Sequence, residues 1–168
     1  DQDWIYDPTP DFFYGLNFYF QYKGFDLTMF WQGIQGRDII SDLKKETDLW
    51  SGLNIGFLNK GRRVLDAWTP NNPDSDIPAL TRSDLNNEKR VSTYYVEDGS
   101  FLKLRNIQLG YNVPEAVLQK VKMRKLRVYV SAQNLLTIKS RTFTGVDPEN
   151  PNYGYPIPMN LTFGVNIG

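Results

Sequence analysis

The sequence predicts an all-β fold: about five long antiparallel strands that suit the wall of a large transmembrane barrel. Three observations carry the prediction. Apolar and polar side chains alternate with period two along stretches close to the ~9–11 residues that cross a bilayer when tilted. The connections between these stretches alternate between short and long, which is the layout of an outer-membrane barrel. Aromatic residues gather at the ends of the apolar faces (Tyr14, Tyr22, Phe25, Trp31 and Tyr111), where an interfacial girdle would lie.

Residues 1–11 are polar and rich in turn formers, with Pro8 and Pro10 blocking regular structure. Residues 12–22 read as the first strand. Tyr14, Leu16, Phe18, Phe20 and Tyr22 share one face, and Gly15, Asn17, Tyr19 and Gln21 share the other. Lys23-Gly24 then makes a tight turn, with glycine available for a positive φ. A two-residue turn pairs Tyr22 with Phe25, and the apolar face resumes there: Phe25, Leu27, Met29 and Trp31 follow, with Asp26, Thr28 and Gln32 opposite. Register that agrees on both sides of the turn predicts a hairpin.

Residues 36–90 break this pattern. The stretch is long, polar and mixed, with room for a helical turn or two at 42–50 and at 60–68. Residues 68–78 are irregular by their prolines and asparagines. Loops of this length inside a compact domain are usually functional. A short strand is expected at 91–96.

The stretch 98–134 organises the chain. It reads as a strand over 101–113, a short helical piece opened by Pro114 and carrying Val117, Leu118 and Val121, then a strand over 126–135. In that second strand Leu126, Val128, Val130 and Ala132 point one way, and Arg127, Tyr129, Ser131 and Gln133 the other. A second irregular stretch, 139–158, follows. The last strand, 159–168, sets Met159, Leu161, Phe163, Val165 and Ile167 against Asn160, Thr162, Gly164 and Asn166.

One strand resists the barrel reading. Lys103 and Arg105 fall on the parity of Ile107, Leu109 and Tyr111. A cation facing lipid costs roughly 2–4 kcal/mol at the midplane and ~0–1 near the interface. The two are therefore expected at the outer end of the strand, or behind a bulge that switches faces. A soluble β-sandwich with these apolar faces as its core also fits the alternation. The barrel fits better, because the strands are long, their number is odd, and an open five-stranded sheet would have bare edges.

Composition narrows the function. Lys plus Arg and Asp plus Glu are 19 each, so no bulk field favours nucleic acid as a partner. There is no cysteine for a disulfide or a thiolate metal site. There is no histidine, which removes the commonest general base and metal ligand. No apolar run approaches the ~20 residues of a membrane-spanning helix. Asp1 reads as a mid-sequence position, so a piece of a longer protein is expected.

Several runs carry a specific resemblance. These are Asp7-Pro-Thr-Pro-Asp11 leading into Tyr14-Gly15, Tyr22-Lys-Gly-Phe-Asp-Leu27 with Gln32-Gly33 and Gly36, and Ala67-Trp-Thr-Pro-Asn-Asn-Pro73 followed by Asp76-Ile77-Pro78. The run from Asp98 to Tyr111, DGSFLKLRNIQLGY, is the most specific, continued by Leu126–Leu135, Gly145–Glu149 and Thr162–Asn166. In this order they resemble the SusC/RagA family of TonB-dependent outer-membrane transporters, over nearly the whole chain. The resemblance implies that residues 1–168 are the C-terminal segment of a barrel with long extracellular loops and short periplasmic turns. The plug domain and the earlier strands would lie outside this chain. It implies an integral outer-membrane location in a Gram-negative bacterium and import of oligosaccharides or peptides. The implied partners are a SusD-like surface lipoprotein over the mouth, the TonB complex through the absent N-terminal part, the remainder of the same barrel, and the lipid bilayer. It implies no cofactor. Chains of this kind end on an aromatic residue, so one further residue after Gly168 is expected.

Catalysis is not expected. Asp74 with Asp76, or Asp147 with Glu149, could supply paired carboxylates, but Asp, Asn and Pro together more often shape turns. Asp147, Glu149 and Asn150 could offer oxygen ligands to a metal, without the spacing of an EF-hand; no metal is expected. Trp50, Trp68, Asn71, Tyr153 and Tyr155 lie in the expected extracellular loops, where aromatics beside asparagines could stack on sugars, meet the lipoprotein, or simply pack the loops. Asn17, Gln21, Arg127 and Gln133 are expected to face the lumen and hydrogen-bond the plug.

Overall fold

A computed structural model describes residues 3–49, 59–81, 87, 90–152 and 154–168. Five strands form one antiparallel sheet: β1 (Phe12–Tyr22), β2 (Phe25–Gln35), β5 (Phe101–Asn112), β6 (Leu126–Lys139) and β7 (Asn160–Ile167), in that spatial order. Two short strands, β3 (Asp38–Ile40) and β4 (Val96–Asp98), pair in the long connection between β2 and β5. A short helix α1 (Asp42–Thr47) follows β3, and α2 (Glu115–Leu118) lies between β5 and β6.

The β1–β2 hairpin pairs Tyr22 with Phe25, as its alternation requires. Lys23 and Gly24 both have positive φ, 44° and 86°, the geometry whose twist matches the flanking strands. Gly24 O accepts from Asn112 N at 2.8 Å, which ties this turn to the end of β5. The β5–β6 connection starts with Pro114 as the N-cap of α2, one position before the first helical residue. It closes on Lys122 in the left-handed conformation (φ 56°), with Met123 N donating to Leu118 O. Leu118 is buried beneath it.

Alternation in the sheet separates two faces. Outward lie Leu16, Phe18, Phe20, Leu27, Met29, Leu109, Val128, Phe163 and Val165, paired strand to strand through the register. Phe18 is 39 % exposed, Val128 41 % and Phe163 79 %. Among the described residues, no second protein layer covers this face, so the sandwich reading fails. The inward face carries Asn17, Gln21, Asp26, Thr28, Asn106, Gln108, Arg127, Ser131 and Thr162.

The sequence expectations need three corrections of extent. Residues 93–95 form a 3-10 turn, and the short strand begins only at Val96. The turn at 60–68 is a 3-10 helix, Arg62–Asp66. Strand β6 runs four residues past the expected 135, to Lys139. The alternation is interrupted at Asn134, whose φ of 53° imitates a strand end.

Buried apolar residues concentrate at the end of the sheet with the long connections: Ile34, Ile39, Leu49, Ala67, Ile77, Tyr95, Phe101 and Phe143. The long loops therefore build their own core, while the sheet exposes its apolar side.

Candidate functional site

The site begins at a fault in β5. Asn106 pairs with Phe30 of β2, but Leu104 pairs with the next residue, Trp31, leaving Arg105 as an extra residue. The register shifts at the same place against β6. Parity flips across such a bulge. Lys103 therefore stands opposite inward Gln32, while Leu102 and Leu104 take the outward parity. Both cations leave the lipid-facing side, which resolves the strand that resisted.

The inward cations are then capped by the second loop. Lys103 is 1 % exposed and its Nζ lies 2.6 Å from Asp147 Oδ1, with Glu149 Oε2 also in contact. Arg105 donates from Nε to Gln32 Oε1 at 2.7 Å and pairs with Glu149. Asp147 also accepts from the backbone N–H groups of Glu149 (3.0 Å) and Ile157 (3.2 Å). Burial opposes ionisation of both carboxyls. The hydrogen bonds from Lys103 and the backbone at Asp147, and from Arg105 and Lys103 at Glu149, outweigh it, so both titrate below the usual carboxylate range. Two cations and two carboxylates compensate one another here, as a buried charge requires.

A second knot holds the first loop. Asp48 is fully buried and accepts from Tyr94 Oη at 2.8 Å, with Arg63 Nε at 3.3 Å. Burial and the neighbouring Asp48 push the Tyr94 hydroxyl well above its ordinary pKa. Ser41 caps α1 by accepting from Lys44 N, and Lys44 reaches Glu97 at 3.5 Å. Glu97, also buried, accepts from Thr144 N (3.1 Å) and Thr144 Oγ1 (2.7 Å). Asp42 and Asn152 exchange two hydrogen bonds. The two loops are thus joined to each other as well as to the sheet.

The expected contact residues fall on the outside of this body. Trp68 is 42 % exposed, Asn71 is exposed and Tyr155 is 93 % exposed. Trp68 N donates to Ile77 O at 2.8 Å, and Asn72 Nδ2 donates to both Asp66 O and Asp66 Oδ1, so Trp68 and Asn71 sit on a self-bonded turn. Neither Trp68 nor Tyr155 stacks on another ring among the described residues. Trp50 and Tyr153 lie outside the described residues. Asp147 and Glu149, weighed as catalytic or metal-binding oxygens, are committed to Lys103 and Arg105.

On the inward face, Asn17 pairs with Phe30, Gln21 with Asp26, Arg127 with Asn112 and Asn166, and Gln133 with Asn106 and Asn160. Arg127 is not left to face a partner alone. It grips Asp26 with two hydrogen bonds, 2.5 and 3.2 Å, across the intervening Gly110. Sequence reading missed Asp26, Gly110 and Asp147 as members of these clusters. For Asp26 the available signal was an acid on the inward parity at the same end as Arg127.

No family model matches the chain. The RagAB peptide importer in its open-open state superposes with a TM-score of 0.78 at 29 % identity, over 96 % of this chain and 17 % of that one. The TonB-dependent receptor P3 of Formosa agariphila is 36 % identical over 183 residues, covering 99 % of this chain. The chain belongs to the SusC/RagA family of TonB-dependent receptors. TonB-dependent receptor P26 of the same organism is 31 % identical over 95 % of the chain. The chain spans 17 % of the length of both curated relatives. As part of a SusC/RagA barrel it lies in the outer membrane. The open apolar face meets hydrocarbon, the long loops are extracellular and the short turns periplasmic. In that setting the β5 bulge moves two charges from lipid to the interior.

Proposed function

We propose that this chain is the C-terminal part of the barrel wall of an importer that takes up oligosaccharides or peptides. Energy reaches the receptor from the TonB complex through the part of the protein outside this chain. A SusD-like surface lipoprotein covers its extracellular mouth. The observation that carries the reading is a sheet apolar and uncovered outward, polar inward, and crowned at one end by two loops bonded into one body. The similarity to the RagAB peptide importer supports the same class of work. Trp50, Trp68, Asn71, Tyr153 and Tyr155 are the loop residues proposed to meet substrate or lipoprotein. Asn17, Gln21 and Gln133 are proposed to hydrogen-bond the plug. Arg127 reaches the plug only through what its bond to Asp26 leaves over. Catalysis has no place in this proposal.

The test uses the full-length receptor in its own cells. Uptake of labelled peptides and of labelled oligosaccharides is followed with the receptor gene intact and deleted, and with a proton uncoupler. Loss of one substrate class on deletion and on uncoupling is expected, with a surface lipoprotein co-purifying in detergent. Uptake that survives both treatments, or a receptor that leaves the membrane without detergent, would overturn the proposal.

A further inference from the structure

The short-turn end of the sheet concentrates positive charge. Lys23 lies in the β1–β2 turn, and Lys120, Lys122, Arg124 and Lys125 lie in the β5–β6 connection, with Glu115 the single carboxylate in either. The whole chain is neutral, so this end is offset by a carboxylate excess elsewhere. None of the five cations forms a salt bridge among the described residues.

The position of these charges is specific. Lys23 Nζ stands 5.3 Å from the centre of the Tyr22 ring. Tyr22 is on the outward face and 70 % exposed. An aromatic ring at the end of a lipid-facing strand sits at headgroup level, so the ammonium above it does too. Lys23, Arg124 and Lys125 line one concavity of about 420 Å³ with Gly24, Pro114 and Leu126, and Glu115 is the one carboxylate set against these three cations. Leu126 pairs with Ile167 on the outward parity, so the floor of the concavity continues into the lipid-facing side. Val117 is half exposed on α2 in the same connection.

We propose that this rim binds the phosphate of an anionic phospholipid in the periplasmic leaflet. The inference rests on the membrane orientation described above. Cations gathered beside a bilayer attract acidic headgroups, and the apolar floor suits the start of an acyl chain. A soluble acidic partner would need the charge but not the continuity with the outward face.

The test uses the full-length receptor in mixed detergent micelles holding equal phosphatidylglycerol and phosphatidylcholine. Retained lipid is counted by mass spectrometry after exchange. Enrichment of phosphatidylglycerol on the order of tenfold is expected, falling to parity in high salt. It should fall likewise in a variant carrying Lys23→Gln, Lys120→Gln, Lys122→Asn, Arg124→Gln and Lys125→Gln. Asparagine is chosen at 122 because it tolerates positive φ. Parity in the wild type, or unchanged enrichment in the variant, overturns the proposal. So does displacement of the lipid by equimolar soluble glycerophosphoglycerol or by an acidic peptide, which would show that the bilayer is not what is read. If the combined variant loses its folded mobility on unheated gels, Lys23→Gln alone decides, and it must lower the enrichment. Loss of lipid preference with detergent dependence intact sinks only this inference, whereas a receptor soluble without detergent sinks the membrane reading itself.

Discussion

Arg127 on β6 holds Asp26 on β2 although a whole strand, β5, runs between them. The bond passes over Gly110, where an added Cβ would lie 2.7 Å from both Asp26 carboxylate oxygens. Glycine is needed there for what crosses above it, not for its backbone freedom. The pair locks three strands together on the lumen side.

Gly110→Ala is accordingly expected to destabilise the full-length receptor by about 1–3 kcal/mol, the range for overfilling a packed site. The measurement is the midpoint of the heat-induced mobility shift on gels. Arg127→Met should weaken the fold more than the double variant Arg127→Met with Asp26→Leu, because the single change strands a carboxylate.

Tyr129 supplies a similar case on the next strand pair. Its ring lies over Gly164, where a Cβ would meet the ring at 2.2 Å. Threonine ordinarily favours strands over glycine. Gly164→Thr should nevertheless lower stability by ~1–3 kcal/mol, since the ring must leave. A rise in the unfolding midpoint would contradict the placement of Tyr129.

The two faces of β7 should respond oppositely to charge. Phe163→Arg puts a cation into hydrocarbon and is expected to cost roughly 2–4 kcal/mol. Thr162→Arg, one residue away on the inward parity, should cost far less. Denaturant titrations of the receptor folded in phospholipid vesicles compare the two. Equal costs would mean that the faces have been assigned wrongly.

The loop clamp at Lys103 makes a pH prediction. Asp147 and Glu149 titrate low in the folded protein, so their contribution is complete above the ordinary carboxylate range of about 4. It is lost as pH falls through the folded values. Hydrogen exchange at the amides of Glu149 and Ile157, corrected for intrinsic rate, should be flat through neutral pH and quicken only in acid. Lys103→Met should abolish that protection already at neutral pH, because both carboxylates lose their buried ammonium.

Legibility in the sequence followed the range of the forces involved. The hairpin at Lys23-Gly24 and the two faces of β1, β2, β6 and β7 were readable because alternation and turn chemistry are local. The bulge at Arg105 was readable only as a conflict. A single extra residue shows itself against a partner strand, and the partner is some seventy positions away, as the Arg105 to Gln32 bond spans. Asp147 looked like a turn former because the lysine it holds lies 44 residues back. Asp48 and Glu97, buried acids in polar stretches, carry no local mark at all.

The seams between the outer loops have an evolutionary reading. Thr144 to Glu97, Asn152 to Asp42 and Asp147 to Lys103 stitch both loops to a common base. Insertions that separate those stitches would unfasten two segments at once. The turn carrying Trp68 and Asn71 is closed by its own bonds, so it is the place where length and chemistry can drift while the foundation stays put.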